Sequence, residues 1–372
     1  MANCPPEIWL SIYGYLHYSD LKSISRCSKY LRGLALSRLF RAVKLSLESA
    51  AAFENGNLEG ILHHVQKVAI GDKTDMPIRS TLVLVESSCR ALRFLPNVTN
   101  LKLSFMAPFE FQASIFLLAF KYISKYSCYK NLRSVTLAFG ESRLHELPRK
   151  NRKLIRDVED VRFPPNIEYV SMCGIKDSYF DFTTKAMPYP CILFSSISET
   201  LRRVKIESNS ISSIMEALEP ISYMRSTLAK YPSVTEVWVL LNRLSSTIGG
   251  VLLEIPRRFP NIQDLRVDHP YYDFRSAGSI YSQFSKLRKL KRAIVPWPYY
   301  NQPDSPVSHN CFGTELIPYL EDSKLKSLEY IDFVSRNCYL GIGKVCRVQA
   351  VMSMPILTLR EQKFDVSGDI AF

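Results

Sequence analysis

Six histidines stand at 17, 63, 64, 145, 269 and 309, and nine cysteines at 4, 27, 89, 128, 173, 191, 311, 338 and 346. These are the side chains that ligate metals or serve as nucleophile and base. No two cysteines form a CxxC pair, and no histidine follows one at zinc-finger spacing. Only His63 and His64 adjoin, and sequence neighbours point apart on a helix or strand, so they do not share a metal. The acidic pairs Glu159-Asp160 and Glu321-Asp322 read as solvated surface. There is no GxxxxGK[ST] phosphate loop, no GxGxxG, no GxSxG elbow and no HExxH. Gly341-Ile342-Gly343-Lys344 reads as a turn. No catalytic residue, metal site or cofactor is expected, and the chain reads as a non-enzymatic protein.

What remains is the chemistry of binding. Lys and Arg number 48 against 35 acids, a net charge of +13 that suits an acidic partner, a phosphorylated partner or nucleic acid. Two basic runs concentrate it: Arg143, Arg149, Lys150, Arg152, Lys153 and Arg156, and Lys286, Arg288, Lys289, Lys291 and Arg292. Each reads first as a solvated face, then as a nuclear address or an anion site. No RRM, KH or C2H2 signature supports nucleic acid. No apolar stretch reaches the ~18–20 residues that span a bilayer, so no membrane partner is expected. The start, MANCPPEIW, lacks a basic segment followed by an apolar run, so no secretory leader is expected. An odd, scattered set of cysteines points to reduced thiols and a cytoplasmic or nuclear location. The Pro- and Tyr-rich stretch 296–310 reads as a long surface loop.

The first forty residues spell three short helices. Pro5 and Pro6 fit a helix start and Glu7 its positive end, and Ile8, Ile12, Tyr15 and Leu16 recur at helical spacing. Ser19-Asp20 reads as the cap of a second helix carrying Leu21 and Ile24. A third runs from about Ser25 to Phe40. Trp9, Ile12, Tyr13, Leu16 and Leu21 are too many apolar side chains for so small a core, so some must dock elsewhere.

The string CPPEIWLSIYGYLHYSDLKSISRCSKYLRGLALSRLF resembles an F-box, over about residues 3–45. Pro5, Glu7, Ile8, Ile12, Tyr15, Leu16, Asp20, Leu21, Ile24, Ser28, Lys29 and Leu31 match its pattern in register, and the close through Leu34-Ala35-Leu36 and Leu39-Phe40-Arg41 is similar to many fungal F-boxes. Two positions depart from it: Cys4 stands where a Leu is usual and Cys27 where a Val is usual, both smaller apolar side chains.

From residue 65 a second pattern recurs: apolar, two residues, apolar, one residue, apolar. Its copies are Val65-Val68-Ile70, Val98-Leu101-Leu103, Leu132-Val135-Leu137 and Ile167-Val170-Met172, then Leu201-Val204-Ile206, Val234-Val237-Val239, Ile262-Leu265-Val267 and Leu328-Ile331-Phe333. First members are 33, 34, 35, 34, 33, 28 and 66 residues apart, and the last gap leaves room for a weak copy at Leu290-Ala293-Val295. Turn signals precede several copies: Pro96-Asn97, Pro165-Asn166, Pro232-Ser233 and Pro260-Asn261. Alternating apolar residues turn one face of a short strand inward, and one such unit cannot bury that face alone, so neighbours must stack. Helical spacing between copies is clearest over Phe111–Tyr126 and Ser212–Tyr231 and weaker over Phe274–Leu287 and Thr314–Leu320.

This resembles an irregular leucine-rich-repeat array, and Asn209 and Asn242 stand where such repeats carry a turn asparagine. The expected fold is α/β: a three-helix F-box over 1–45, an irregular leucine-rich-repeat-like strand and helix solenoid over 46–345, and a C-terminal cap or tail over 346–372. The double resemblance implies a substrate-recognition subunit of a Skp–cullin–F-box-type ubiquitin ligase. Contact with the Skp-family adaptor, and through it a cullin ligase, would fall to Pro5, Pro6, Ile8, Ile12, Leu16, Leu21 and Ile24.

Side chains between the inward residues point to the other face of the sheet: Lys102, Thr136, Ser171, Lys205, Trp238, Arg266 and Asp332. Lys102, Lys205, Trp238 and Arg266 are the candidate contacts for an acidic or phosphorylated target, with Trp238 as its hot spot or else as packing within a loop. Two other readings stay open. One is a non-proteolytic interaction scaffold whose helices cap the solenoid, the segment from Phe40 to Leu45 running on as a first strand. The other is nucleic-acid binding through the basic runs.

Overall fold

The computed structural model describes residues 5–46, 50, 53, 59–71, 78–107, 109–141, 164–175, 199–208, 231–241, 255–268, 286–296, 327–334, 339–346 and 356–358. They fall into two compact units, 1–167 and 168–371.

The first unit opens with three helices: α1 (Pro6–Tyr13), α2 (Tyr18–Cys27) and α3 (Lys29–Leu39). Pro6 sits in the first turn of α1, where its missing N–H leaves no gap in the helix ladder. α2 begins earlier than the Ser19-Asp20 signal predicts, with His17 rather than Ser19 at the capping position and no side-chain cap; Ser19 Oγ instead lies 3.1 Å from His17 Nδ1. What the sequence reads as one long third helix from Ser25 is broken at Ser28. That residue is extended, and its hydroxyl accepts the Leu31 N–H at 3.1 Å, so it ends α2 and caps α3. Tyr13, Leu21, Ala35 and Leu39 form the buried core of the three helices, with Trp9, Leu16, Ile24, Leu34 and Phe40 packed against it.

The chain then alternates strand and helix: β1 (Ala42–Leu45), α4 (Glu59–Leu62), β2 (Lys67–Gly71), α5 (Ile78–Ala91), β3 (Asn100–Ala107), α6 (Phe109–Ile123), α7 (Cys128–Asn131) and β4 (Ser134–Glu141). β1 to β4 pair in parallel and in chain order. Val68 and Ile70, Leu101 and Leu103, and Val135 and Leu137 are buried on one face, as the alternation predicts. α5 and α6 pack on that face through Leu84, Val85, Phe116 and Phe120, with the rings of Phe105 and Phe116 5.8 Å apart. α5 carries no signal that the repeat pattern would register.

The second unit holds β5 (Tyr169–Ile175), β6 (Arg203–Ser208), β7 (Glu236–Leu241), β8 (Asp264–Asp268), β9 (Arg292–Pro296) and β10 (Tyr330–Val334), again parallel and in chain order. The weak copy at Leu290-Ala293-Val295 is a true strand, β9, with Leu290 and Ala293 buried. β11 (Tyr339–Cys346) and β12 (Ile356–Thr358) add on antiparallel. Gly341 to Lys344, which read as a turn, lies inside β11. Gly341 stands opposite Phe333 beside a register shift at Phe333/Val334, where a residue without a side chain eases an irregular pairing. The stretches 143–156, 209–230 and 297–326, which include one basic run, Asn209 and most of the long loop, lie outside the described residues, as do Asn242, the helical spacing over 274–285, and most of 346–372.

The register repeats without a slip at each leading turn. The Arg41 carbonyl accepts the Gln66 and Lys67 N–H groups, Gln66 accepts Thr99 and Asn100, and Thr99 accepts Arg133 and Ser134. Glu168, Arg202, Thr235 and Gln263 do the same in the second unit. Side chains stitch the turns as well. Asn97 Nδ2 donates to the His63 carbonyl at 2.8 Å, Asn131 to Pro96 at 2.9 Å, Asn166 to Lys130 at 2.8 Å and Asn261 to Pro232 at 2.8 Å.

Candidate functional site

Two surfaces carry the residues that the sequence singles out. On the N-terminal helices, Pro5, Pro6, Ile8 and Ile12 are exposed, Ile8 at 51% and Ile12 at 43%, and Tyr15 beside them at 93%. Period-3.6 spacing puts Ile8, Ile12 and Tyr15 along one side of α1 and its continuation, away from Trp9, Tyr13 and Leu16, which face the three-helix core. The remaining adaptor candidates lie elsewhere. Leu21 is buried at 5% in that core, and Leu16 and Ile24 pack half-buried against it. All three contribute to the helical core, and Leu16 and Ile24 keep part of their surface accessible.

The second surface lies on the outer face of the strands in the second unit. Register puts Ser171, Lys205, Trp238, Arg266, Ile294 and Asp332 in one row across β5 to β10. The row before it runs Tyr169, Arg203, Glu236, Asp264, Arg292 and Tyr330. A groove of about 280 Å3 lies between the two rows, lined by Tyr169, Arg203, Lys205, Glu236, Trp238, Asp264, Arg266, Arg292 and Ile294 among them. Trp238 is half-buried and flanked on both neighbouring strands by cations: Lys205 Nζ lies 3.8 Å from the ring centroid and the Arg266 guanidinium carbon 4.1 Å. Each such contact contributes roughly 0.5–2 kcal/mol, more as it is desolvated. Lys205 is only 9% exposed, so the ring helps to hold a charge that burial alone would disfavour. Trp238 is therefore a clamp for cations already occupied by its own sheet. Its ring is engaged by two cations of its own sheet and still lines the groove, half-buried.

The groove carries both signs of charge, with Arg203, Lys205, Arg266 and Arg292 against Glu236 and Asp264. Arg203 Nε lies 3.8 Å from Glu236 Oε2 and its guanidinium carbon 5.7 Å from the Tyr169 ring. Burial pushes the Asp264 carboxyl above the usual carboxylate range; Arg292 and Lys291 pull it back, and Glu329 adds to the rise. Lys102 stands apart from this cluster. It occupies the outer face of β3 in the first unit, between Ala69 and Thr136 in register, and is half-buried. The exposed side chains of the second basic run, Lys286, Arg288, Lys289, Lys291 and Arg292, line the turn into β9.

Two of the described thiols, Cys89 and Cys128, are buried. Burial pushes the Cys128 thiol up to about 11 and the Cys89 thiol higher still, leaving little thiolate near neutrality. Burial, with the neighbouring charge of His63, lowers the His64 imidazole. Among the described residues no three His, Cys, Asp or Glu gather as a metal site, and no helix is long and apolar enough to cross a membrane. No protein-family model matches the chain, and no curated protein matches it in sequence.

Proposed function

We propose that this chain is the substrate-recognition subunit of a Skp–cullin–F-box-type ubiquitin ligase, with its N-terminal helices docked on the Skp-family adaptor and its strand array holding an acidic or phosphorylated target. The exposed apolar side of α1 carries the reading. Three helices build a sufficient core from one side of their residues, and Ile8 and Ile12 remain outside it. Exposed apolar clusters of this kind mark sites that a partner covers. If the helices were only an end-cap for the strands, those two side chains would be the ones covered; their exposure favours the adaptor over the scaffold reading.

The strand array supports the second half. A parallel sheet ordinarily has both faces covered by helices and reads as continuous apolar runs. Here β2, β3, β4, β7 and β8 alternate buried and more accessible side chains, and in the second unit the groove on the accessible face carries Arg203, Lys205, Arg266 and Arg292 against Glu236 and Asp264. Such a protein contributes proximity: holding a target lysine near a charged ubiquitin carrier raises its effective concentration, and no residue of this chain need touch the reacting atoms.

The test is co-purification with the Skp-family adaptor. Ile8→Asp with Ile12→Asp alters exposed positions only, so the fold should persist while adaptor recovery falls at least about tenfold, the effect of charging an apolar contact centre. Leu16→Ala is a poorer probe, because Leu16 packs on the core. Full recovery of adaptor by the double variant would reject the assignment.

A further inference from the structure

A second groove in the first unit, unrelated to the α1 face, lies between α2, α3 and α4 and measures about 520 Å3, within the ~300–1,000 Å3 range of ligand sites. α2 lines it with Tyr18, Lys22 and Arg26, a spacing of four residues that keeps them on one side of the helix. α3 lines it with Arg32, Leu36 and Phe40 at the same spacing, and Ile61 of α4 faces them. The floor is therefore apolar: Leu36, Phe40 and Ile61 are half-buried and Leu39 beneath them is buried.

The rim is cationic. Lys22, Arg26 and Arg32 are all exposed, and among the described residues no carboxylate lines the groove. Arg32 is held in place by its Nε–H, which donates to the Ser25 carbonyl at 3.0 Å, and Lys22 Nζ lies 4.9 Å over the Tyr18 ring. Asp20, the acid of α2, is outside the lining and accepts from Ser19 Oγ at 3.4 Å. Three like charges around one mouth repel each other, and an incoming anion relieves that repulsion. Two helices presenting matched side-chain rows with an apolar floor form the kind of cleft that accepts the apolar side of a third helix.

We propose that this groove docks an acidic amphipathic helix of a partner protein, with its apolar side chains on Leu36, Phe40 and Ile61 and its carboxylates on Lys22, Arg26 and Arg32. The site is independent of the adaptor reading: it uses the sides of α2 and α3 turned towards α4, and none of the exposed residues of α1. Charge brings the segment in and depends on salt; the apolar anchors set how long it stays.

Fluorescence anisotropy on the full chain tests this, with a labelled glutamate-rich peptide of about fourteen residues carrying leucines at i, i+3 and i+7. Micromolar binding is expected. Lys22→Glu with Arg26→Glu should weaken it about tenfold or more, while Lys22→Arg with Arg26→Lys should retain it. The same peptide with its leucines replaced by serine should also bind at least about tenfold more weakly. No binding, or binding indifferent to either change, overturns the proposal. So does equal binding of a single-stranded oligonucleotide of similar length that is abolished by the same charge reversal, which would make the groove a general anion site. Ile8→Asp with Ile12→Asp should leave peptide binding unchanged, so this proposal and the adaptor assignment fail separately.

Discussion

Tyr13 lies at the centre of the three-helix core, 1% exposed, and its hydroxyl has no hydrogen-bond partner among the described residues. Burial accordingly raises its phenol above the usual tyrosine range, with Tyr30 and Cys27 adding to the effect. The adjacent Trp9 Nε1 is likewise buried without a partner, its ring 5.9 Å away. A buried polar group left unsatisfied costs about 1–3 kcal/mol, whereas the aromatic ring earns its place through apolar contact. Tyr13→Phe keeps the ring and removes the orphan, so it should stabilise the helical module by about 1 kcal/mol, read as a shift in the urea midpoint with an unchanged slope. A loss of stability would show that the hydroxyl has a partner in solution. At this same scale lies the different fate of Trp238. Its register on the outer face is legible from the alternation of Val237 and Val239, but the pairing with Lys205 and Arg266 is not. Those three residues are 33 and 28 positions apart, and only the completed sheet makes them neighbours.

Among the elements, the strands were the most legible. An apolar pair two residues apart has one physical meaning in a short segment, and each such pair from Val68-Ile70 to Leu265-Val267 is buried. The turns were half legible. Pro96-Asn97 and Pro260-Asn261 announce a turn, but the role of the asparagine, which ties each turn to the one before it through a carbonyl, needs the stacking to exist first. α5 lies between two strand copies and is amphipathic, with Leu84, Val85, Cys89 and Ala91 buried, yet the strand repeat says nothing of it. β11 was missed for the opposite reason, its glycines outweighing its alternation.

One glycine does have a stringent backbone duty. Gly71 ends β2 with φ 142°, and a Cβ there would lie 1.7 Å from the Ser104 carbonyl oxygen of the adjacent strand. That atom is backbone, so it cannot rotate away. Gly71→Ala combines a disfavoured φ with a steric clash at the β2–β3 pairing and should destabilise the first unit by about 2–4 kcal/mol. Thermal unfolding by circular dichroism would register it, and a midpoint within a degree of the parent would show that β2 ends differently.

At the scale of the whole chain, the helical module and the strands cannot be separated by a simple cut. α3 runs within two residues into β1, and β1 is the outermost strand of its sheet, paired with β2 from Ala42↔Lys67 to Leu45↔Ile70. A chain beginning at residue 46 would lose the helices and also the partner of β2. The buried Leu45 would go, and with it the Arg41 carbonyl that accepts the Gln66 and Lys67 N–H groups. An unpaired edge flanked by apolar Val68 and Ile70 invites pairing with another copy. The truncated chain should therefore unfold at lower temperature and form larger species on size-exclusion chromatography, as well as failing to recover the adaptor. The exposed double substitution Ile8→Asp with Ile12→Asp should lose the adaptor alone, remaining monodisperse with stability within about 0.5 kcal/mol of the parent. The contrast discriminates between two architectures. If the truncated chain is as stable and monodisperse as the full one, β1 contributes nothing to the sheet and the helices form a detachable module. If both losses appear together, the helices and the strands of the first unit share one continuous structural joint, and a partner gripping α1 would be coupled to β1 through α3.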